Sequence, residues 1–238
     1  MSAANHGVVL WDVDGTLVRT AGLGTLAFFE AFEVVFGRRP PDDAGVYMAG
    51  KTDPQIAMEL LHDLNVDDAE GVLPDILAAL ERALAGLADR IRDEGWVLPG
   101  VASVIDAIAA RSAEASLVQT LLTGNLEPNA RVKLQALGLG RGIEYEVGAY
   151  GSDAADRTAL VPIALQRLAA TGRVADPSRC WVVGDTPRDF ECARAGGVRC
   201  LLVATGTWAF DDLAALDADA VLPDMSDTDL VLSLLTGR

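Results

Sequence analysis

The chain of 238 residues predicts an α/β protein: a parallel sheet with helices on both faces, and a helical unit inserted after the first strand. Three observations carry that expectation. Short apolar runs alternate with segments of helical period in the second half of the chain. Between Ala21 and Glu94 the helical period continues with almost no strand signal. Three of the apolar runs end in a polar group, at Asp12, Thr123 and Asp185. Strand–helix alternation of this kind builds a three-layer parallel sheet, and ligands then bind outside the C-terminal ends of its strands.

The elements follow in order. Gly7-Val8-Val9-Leu10-Trp11 is a short apolar run that reads as a buried strand with Asp12 at its end. Gly15 turns the chain. Residues 22–36 form a helix on the repeat of Leu23, Leu26, Ala27, Phe28, Ala31, Val34 and Val35, and Gly37-Arg38-Arg39-Pro40-Pro41 stops it. Residues 53–94 are helical, with one stripe through Ile56, Leu60, Leu61 and Leu64 and another through Ile76, Leu77, Leu80, Leu84 and Leu87. Trp96-Val97-Leu98-Pro99-Gly100 is punctuation before a helix over 101–111. A strand over 116–123 leads to Gly124-Asn125, and a helix over 127–137 is stopped by Gly138. Strand 143–147, helix 156–171, a turn at Asp176-Pro177, strand 180–183, helix 188–195 and strand 198–203 come next. A short strand at 220–222 and a helix at 226–235 close the chain.

Composition narrows the function. The net charge is −16, with 35 acidic and 19 basic residues. Such a chain repels nucleic acid and anionic membranes, and a phosphate site in it needs local compensation by a metal, a cationic side chain or backbone N–H groups. Cys180, Cys192 and Cys200 are odd in number and lack zinc spacing, which points to reduced thiols and a cytoplasmic protein. Residues 1–7 lack the basic start of a signal peptide, and no apolar run reaches the roughly 18 residues of a membrane span. With only His6 and His62 present, a mechanism built on paired histidines is not expected.

The chemistry sits at the strand ends. Asp12-Val13-Asp14-Gly15-Thr16 sets two carboxylates two residues apart. The sequence is a good tight turn, and it also suits one acid as nucleophile and the other as proton donor and acceptor. Gly184-Asp185-Thr186-Pro187-Arg188-Asp189 adds two acids. Asp185 suits a hard cation such as Mg2+, which takes one or two protein carboxylates. Asp189 suits either the same ion or the positive end of a helix. Leu121-Leu122-Thr123-Gly124-Asn125 offers a hydroxyl, an amide and free N–H groups ahead of a helix, which serves as a phosphate cradle or as an N-cap.

Together these segments resemble the haloacid dehalogenase-type (HAD) hydrolase superfamily, in its phosphoglycolate phosphatase-like branch. Asp12 to Thr16 matches the first motif, D-x-D-G-T; Thr123 matches the strand ending in Thr or Ser; Gly184, Asp185 and Asp189 match the fourth motif. Leu98-Pro99-Gly100-Val101 is similar to that branch's return from cap to core. The resemblance implies a Rossmann-like core formed by residues 1–19 and 97–238, and a helical cap over 20–96. It implies Asp12 as nucleophile, Asp14 as general acid/base, and Thr123 as a further catalytic residue. It implies Mg2+ held by Asp12, the carbonyl of Asp14 and Asp185; Asp189 is expected to join them as a metal residue, and Gly15, Thr16, Gly124 and Asn125 are expected to bind the substrate. An acid at Asp14 points to phosphoryl transfer, because dehalogenases of the superfamily lack it.

One motif departs from the pattern. The family's third motif is a lysine ahead of the fourth, and the chain has only Lys51 and Lys133. Lys133 stands far too early, directly after the second motif. Arg157, at the start of the helix before the fourth motif, is the expected substitute, since a guanidinium stays charged and binds phosphate or carboxylate through two N–H groups. Gly50-Lys51-Thr52-Asp53 is similar to the branch's specificity loop, and Lys51 is expected to meet an anionic substrate tail. Arg19 and Thr20 lie close enough to the first motif to face the same cleft.

The expected reaction is therefore hydrolysis of a small phosphorylated metabolite by a monomer or homodimer. A mutase of the β-phosphoglucomutase type shares the aspartyl-phosphate but carries a cap histidine, and none occurs from Gly7 to Leu61. A phosphonate hydrolase needs a cap lysine and lacks the second acid of the first motif. A non-catalytic phosphate-binding module has no evident need for Asp12, Asp14 and Asp185 together.

Overall fold

The computed structural model describes residues 5–40 and 47–237. Most of the polar start and Pro41 of the first helix stop lie outside them. The core is a six-stranded sheet made of β1 (Asn5–Trp11), β4 (Leu117–Thr123), β5 (Ala149–Tyr150), β6 (Val174–Gly184), β7 (Arg199–Val203) and β8 (Ala220–Leu222). Its order is β5-β4-β1-β6-β7-β8, and every neighbouring pair is parallel.

Strand pleating explains the layers. Val9, Trp11, Leu121, Trp181 and Val183 point to one face, where they meet α5 (Val101–Ala115) and α10 (Thr228–Thr236). Val8, Leu10, Leu122 and Val182 point to the other, where they meet α7 (Leu160–Ala170) and α8 (Pro187–Gly196). Both faces are covered, so every residue of β4 is buried.

A third apolar cluster belongs to the helical segment: α1 (Leu23–Phe36), α2 (Asp53–Asp63), α3 (Ala69–Gly86) and α4 (Ala88–Glu94). Where the chain leaves the core and returns to it, β2 (Val18–Arg19) pairs antiparallel with β3 (Trp96–Val97), a ribbon too short for the sequence to announce. Helix α6 (Glu127–Ala136) serves both cores. Its Ala130 and Leu134 face the sheet, and its Val132 and Ala136 pack against the helical segment.

Four expectations need correction. Residues 143–147 are not a strand. Glu144 donates its N–H to the Gln119 carbonyl at 2.9 Å, Tyr145–Val147 closes a 3-10 turn, and pairing with β4 starts only at Ala149. The helix expected at 156 opens as a 3-10 turn, Arg157–Ala159, because the Asp156 carboxylate caps the Thr158 N–H at 2.9 Å. The turn at Asp176-Pro177 lies inside β6, as an irregularity in its pairing with β1; Pro177 has no N–H for the ladder. A short helix, α9 (Phe210–Ala214), was not expected.

The return into the core depends on Gly100. Its φ is +78°, and a Cβ there would lie 1.7 Å from the Met225 carbonyl oxygen. Gly100→Ala is expected to cost on the order of 2 kcal/mol or more. Urea unfolding measures it, and an unchanged midpoint would contradict this close approach.

Candidate active site

Sheet order creates the site. Strand β1 lies between β4 and β6, so Asp12, Thr123 and Asp185 come to one edge from distant parts of the chain. Asp12, Asp185 and Asp189 each place a carboxylate oxygen within 4.8 Å of the others, all three buried. Thr16 Oγ1 donates to Asp185 Oδ1 at 3.0 Å. Gly15 has a φ of +87°, and a Cβ there would lie 2.5 Å from Asp185 Oδ2, so the first turn needs glycine both for its backbone and for this approach.

Arg157 compensates the buried acids. Its Nη2 lies 2.9 Å from Asp12 Oδ1 and also bonds Asp189 Oδ1. The same guanidinium reaches the carbonyls of Gly50 at 3.3 Å and Leu122 at 3.4 Å. Burial pushes the Asp12 carboxyl up, Arg157 pulls it down and Asp189 pushes it up again, leaving it at about 6. Asp185 is held well above the carboxylate range by burial first, then by the charges of Asp12 and Asp189. For Arg157 burial opposes the charge, and Asp189 and Asp12 outweigh it, so its pKa rises.

Asp14 sits differently. Its side chain is 44% exposed and faces a cavity of about 440 Å³. Asp14 Oδ2 accepts from Lys133 Nζ at 2.6 Å and from Asn125 Nδ2 at 2.8 Å. Lys133 Nζ also donates to Asn125 Oδ1 at 2.6 Å, and Asn125 Nδ2 reaches Thr123 Oγ1 at 2.8 Å. Lys133, set aside in the sequence as far too early, is therefore buried in the site. Helix α6 explains this: Asn129 and Lys133 lie one turn apart on its buried side, four and eight residues after Asn125 in the loop before it, and that spacing was the available signal.

The remaining expected residues divide. Gly15, Gly124, Asn125, Thr123 and Lys51 line the cavity, as do Arg19 and Thr20. Thr16 is fully buried and spends its hydroxyl on Asp185 rather than facing the cavity. Asp189 is fully buried too: Arg157 takes Oδ1, while Oδ2 accepts from Thr186 N at 3.0 Å and Thr186 Oγ1 at 2.7 Å in the capping box of α8. Lys51 Nζ is ion-paired with Glu59. Asp53, for which no role was expected, docks the helical segment on the core. Its Oδ2 accepts from Leu126 N at 2.8 Å and Asn129 Nδ2 at 3.2 Å, and its N–H donates to the Gly124 carbonyl at 2.7 Å. A Cβ on Gly124 would lie 2.0 Å from the Lys51 carbonyl oxygen. The loop after β7 was also missed: Thr205 Oγ1 donates to the Gly15 carbonyl at 2.6 Å, and a Cβ on Gly206 would lie 1.7 Å from Asp185 Oδ2.

The donor set suits a hard divalent cation. Asp12 and Asp185 line the cavity with carboxylate oxygens, and their pKa values are raised by burial first and by neighbouring carboxylates second, both of which a cation would offset. Asp189 belongs to the same buried triad, but Arg157 and Thr186 already occupy both of its oxygens.

The profile of the haloacid dehalogenase-like hydrolases matches residues 9–194. The chain belongs to that family. Its fold agrees with solved HAD structures. A hydrolase from Pseudomonas syringae superposes with a TM-score of 0.70 at 18% identity, over 97% of this chain and 100% of that one. CbbY from Rhodobacter sphaeroides in complex with phosphate gives 0.64 at 19% identity, over 93% and 96%. A mutant of CbbY in complex with xylulose-(1,5)bisphosphate gives 0.66 at 20%, over the same shares. At these identities the likeness shows the fold alone. Among curated proteins none matches the chain.

The raised acids of this HAD-like hydrolase have a signed consequence. A carboxyl whose pKa is higher folded than unfolded binds more protons in the folded state, so metal-free stability falls as pH rises from about 4 to about 6. Thermal melts of the metal-free protein should show that fall, and Asp12→Asn should reduce it. Added Mg2+ should raise the melting temperature more at pH 7.5 than at pH 4.5. Equal shifts at both pH values would argue against a cation between these carboxylates.

Proposed function

We propose that this HAD-like hydrolase is a Mg2+-dependent phosphatase that hydrolyses small phosphomonoesters through an aspartyl-phosphate on Asp12, with residues 20–96 acting as a cap. One observation carries the reading. Asp12 is a buried carboxylate held at 2.9 Å by Arg157, while Asp14, two residues on, faces the same cavity under a separate pair of donors. Two acids from one turn thus receive different environments, as a nucleophile and a proton carrier require.

The reaction has two halves. An Asp12 oxygen attacks phosphorus and the ester P–O bond breaks; the Asp14 carboxyl gives its proton to the leaving oxygen. Asp14, now a carboxylate, takes a proton from water as the water oxygen attacks phosphorus. The bond from phosphorus to Asp12 breaks, releasing phosphate and restoring both acids. Arg157 holds Asp12 in place and offsets charge on the phosphoryl oxygens; Thr123, Asn125 and the N–H groups near Gly124 orient the phosphate. Asp189 fixes Arg157, and Thr16 fixes Asp185. A divalent ion held by Asp12, Asp185 and the Asp14 carbonyl would neutralise charge on the transferring group. The helical segment, docked through Asp53, would exclude water during the reaction. The acidic surface favours a small phosphorylated metabolite as partner over nucleic acid, and no described helix is long and apolar enough to cross a membrane.

Three variants test these roles. Asp12→Asn should abolish multiple turnover of p-nitrophenyl phosphate with Mg2+ while circular dichroism stays unchanged; sustained turnover would remove Asp12 as nucleophile. Asp14→Asn should slow alkyl phosphates by about 100-fold or more and aryl phosphates much less, and an equal loss on both refutes a proton role. Arg157→Ala should raise KM and lower kcat together, because it loosens Asp12 as well as phosphate; kinetics matching wild type would leave Arg157 purely structural.

A further inference from the structure

The cavity is larger and more varied than a phosphate needs, and its outer part bears on the choice of substrate, provided the phosphatase reading holds. Beyond the reactive carboxylates its wall turns apolar. Phe28 and Ile56 come from α1 and α2, Met48 from the loop before α2, and Trp96 from β3. Trp96 is half exposed, an unfavourable place for an indole that has nothing to cover. A volume of about 440 Å³ is several times what a phosphate group fills, so the leaving group has room for a ring or a chain of carbons.

The charges point the same way. Among the described residues, the cavity wall carries four cations, Arg19, Lys51, Lys133 and Arg157. Three are already paired: Arg157 with Asp12 and Asp189, Lys133 with Asp14, and Lys51 with Glu59. Arg19 donates to the Thr205 carbonyl at 2.6 Å, which ties the first loop to the loop after β7. Against these four stand six carboxylates, the four on the wall (Asp12, Asp14, Asp53, Asp185) and the two partners behind it, Asp189 and Glu59. One divalent cation would cancel that excess of two and no more. Among the described residues Arg19 is the one wall cation without a carboxylate partner, so a second anionic group on the substrate has only that charge to share with the phosphate.

Glu59 makes the difference at Lys51. It lies nearly two turns into α2, where Gln55 Nε2 donates to its Oε1 at 3.2 Å and Lys51 Nζ takes Oε2. The ammonium that would otherwise meet an anionic tail is neutralised inside the protein, with the Lys51 side chain only 11% exposed.

We propose that this site selects phosphate monoesters whose leaving group is uncharged and presents an apolar face, and that Glu59 enforces the selection by neutralising Lys51. Contact of a phenyl-sized group with the apolar wall is expected to favour binding by about tenfold or more.

Two alkyl monoesters, 2-phenylethyl phosphate and phosphoglycolate, separate the alternatives with wild type, Glu59→Gln and Trp96→Ala in Mg2+. Wild type should favour 2-phenylethyl phosphate in KM by about tenfold or more. Glu59→Gln should raise kcat/KM for phosphoglycolate by about tenfold, since a freed ammonium then meets its carboxylate, and change 2-phenylethyl phosphate less. Trp96→Ala should raise KM for 2-phenylethyl phosphate and leave ethyl phosphate unmoved. A wild-type preference for phosphoglycolate overturns the proposal, as does a folded Glu59→Gln with an unchanged substrate ratio. Turnover of no ester at all, p-nitrophenyl phosphate included, overturns the phosphatase reading itself and takes this proposal with it.

Discussion

The burial of Asp12 beside Asp185 and Asp189 is the constraint on which the rest of the structure depends. Three carboxylates within 4.8 Å, all out of water, are strongly unfavourable as free charges. Arg157 answers part of that repulsion, and its own burial is tolerable only because Asp189 and Asp12 flank it. Asp189 in turn is fixed by the capping box that starts α8, so a helix end, an arginine and a nucleophile candidate form one continuous arrangement. Removing any member leaves a buried charge without its partner.

This arrangement also explains why the helical segment is tied to the chemistry. Arg157 reaches the Gly50 carbonyl, and Gly124 beside Thr123 meets the Lys51 backbone at a distance no side chain would permit. Asp53 then takes two donors from the start of α6, and α6 carries Lys133 down to Asp14. The loop before α2 that lines the cavity is therefore bonded to the residues that hold both acids. The contacts that dock the helical segment share atoms with the acidic site, and the Lys51–Glu59 ion pair sits on the same loop and the helix after it.

Much of the fold was legible because local physics agreed with the outcome. Buried parallel strands favour apolar runs, so β1, β4 and β7 stood out as stretches rich in Val and Leu, even with Gln119 and Thr120 inside β4. The helices α1 to α3 repeat apolar residues at the period of a packed helix. Where a weak local preference met a tertiary demand, the sequence misled. Residues 143–147 have strand-like composition, but the Gln119 carbonyl captures Glu144 and turns the chain before pairing begins. The ribbon of β2 and β3 is two residues a side, below any periodic signal.

The sequence by itself determined the strand ends and the polar groups on them: the acids Asp12, Asp14 and Asp185 and the hydroxyl of Thr123 stand in contiguous motifs. Only the tertiary structure decided which acid each cation serves and brought Lys133 among them. In the sequence Arg157 is expected at the acids from its place ahead of the fourth motif, whereas Lys133 stands too early and Lys51 is expected to meet the substrate. The fold gives Lys133 to Asp14, Arg157 to Asp12 and Asp189, and Lys51 to Glu59. The reason is physical. A turn bearing two acids is specified by neighbours a few bonds away, whereas a charge partner is specified by distance through space, and strand order with helix rotation sets that distance.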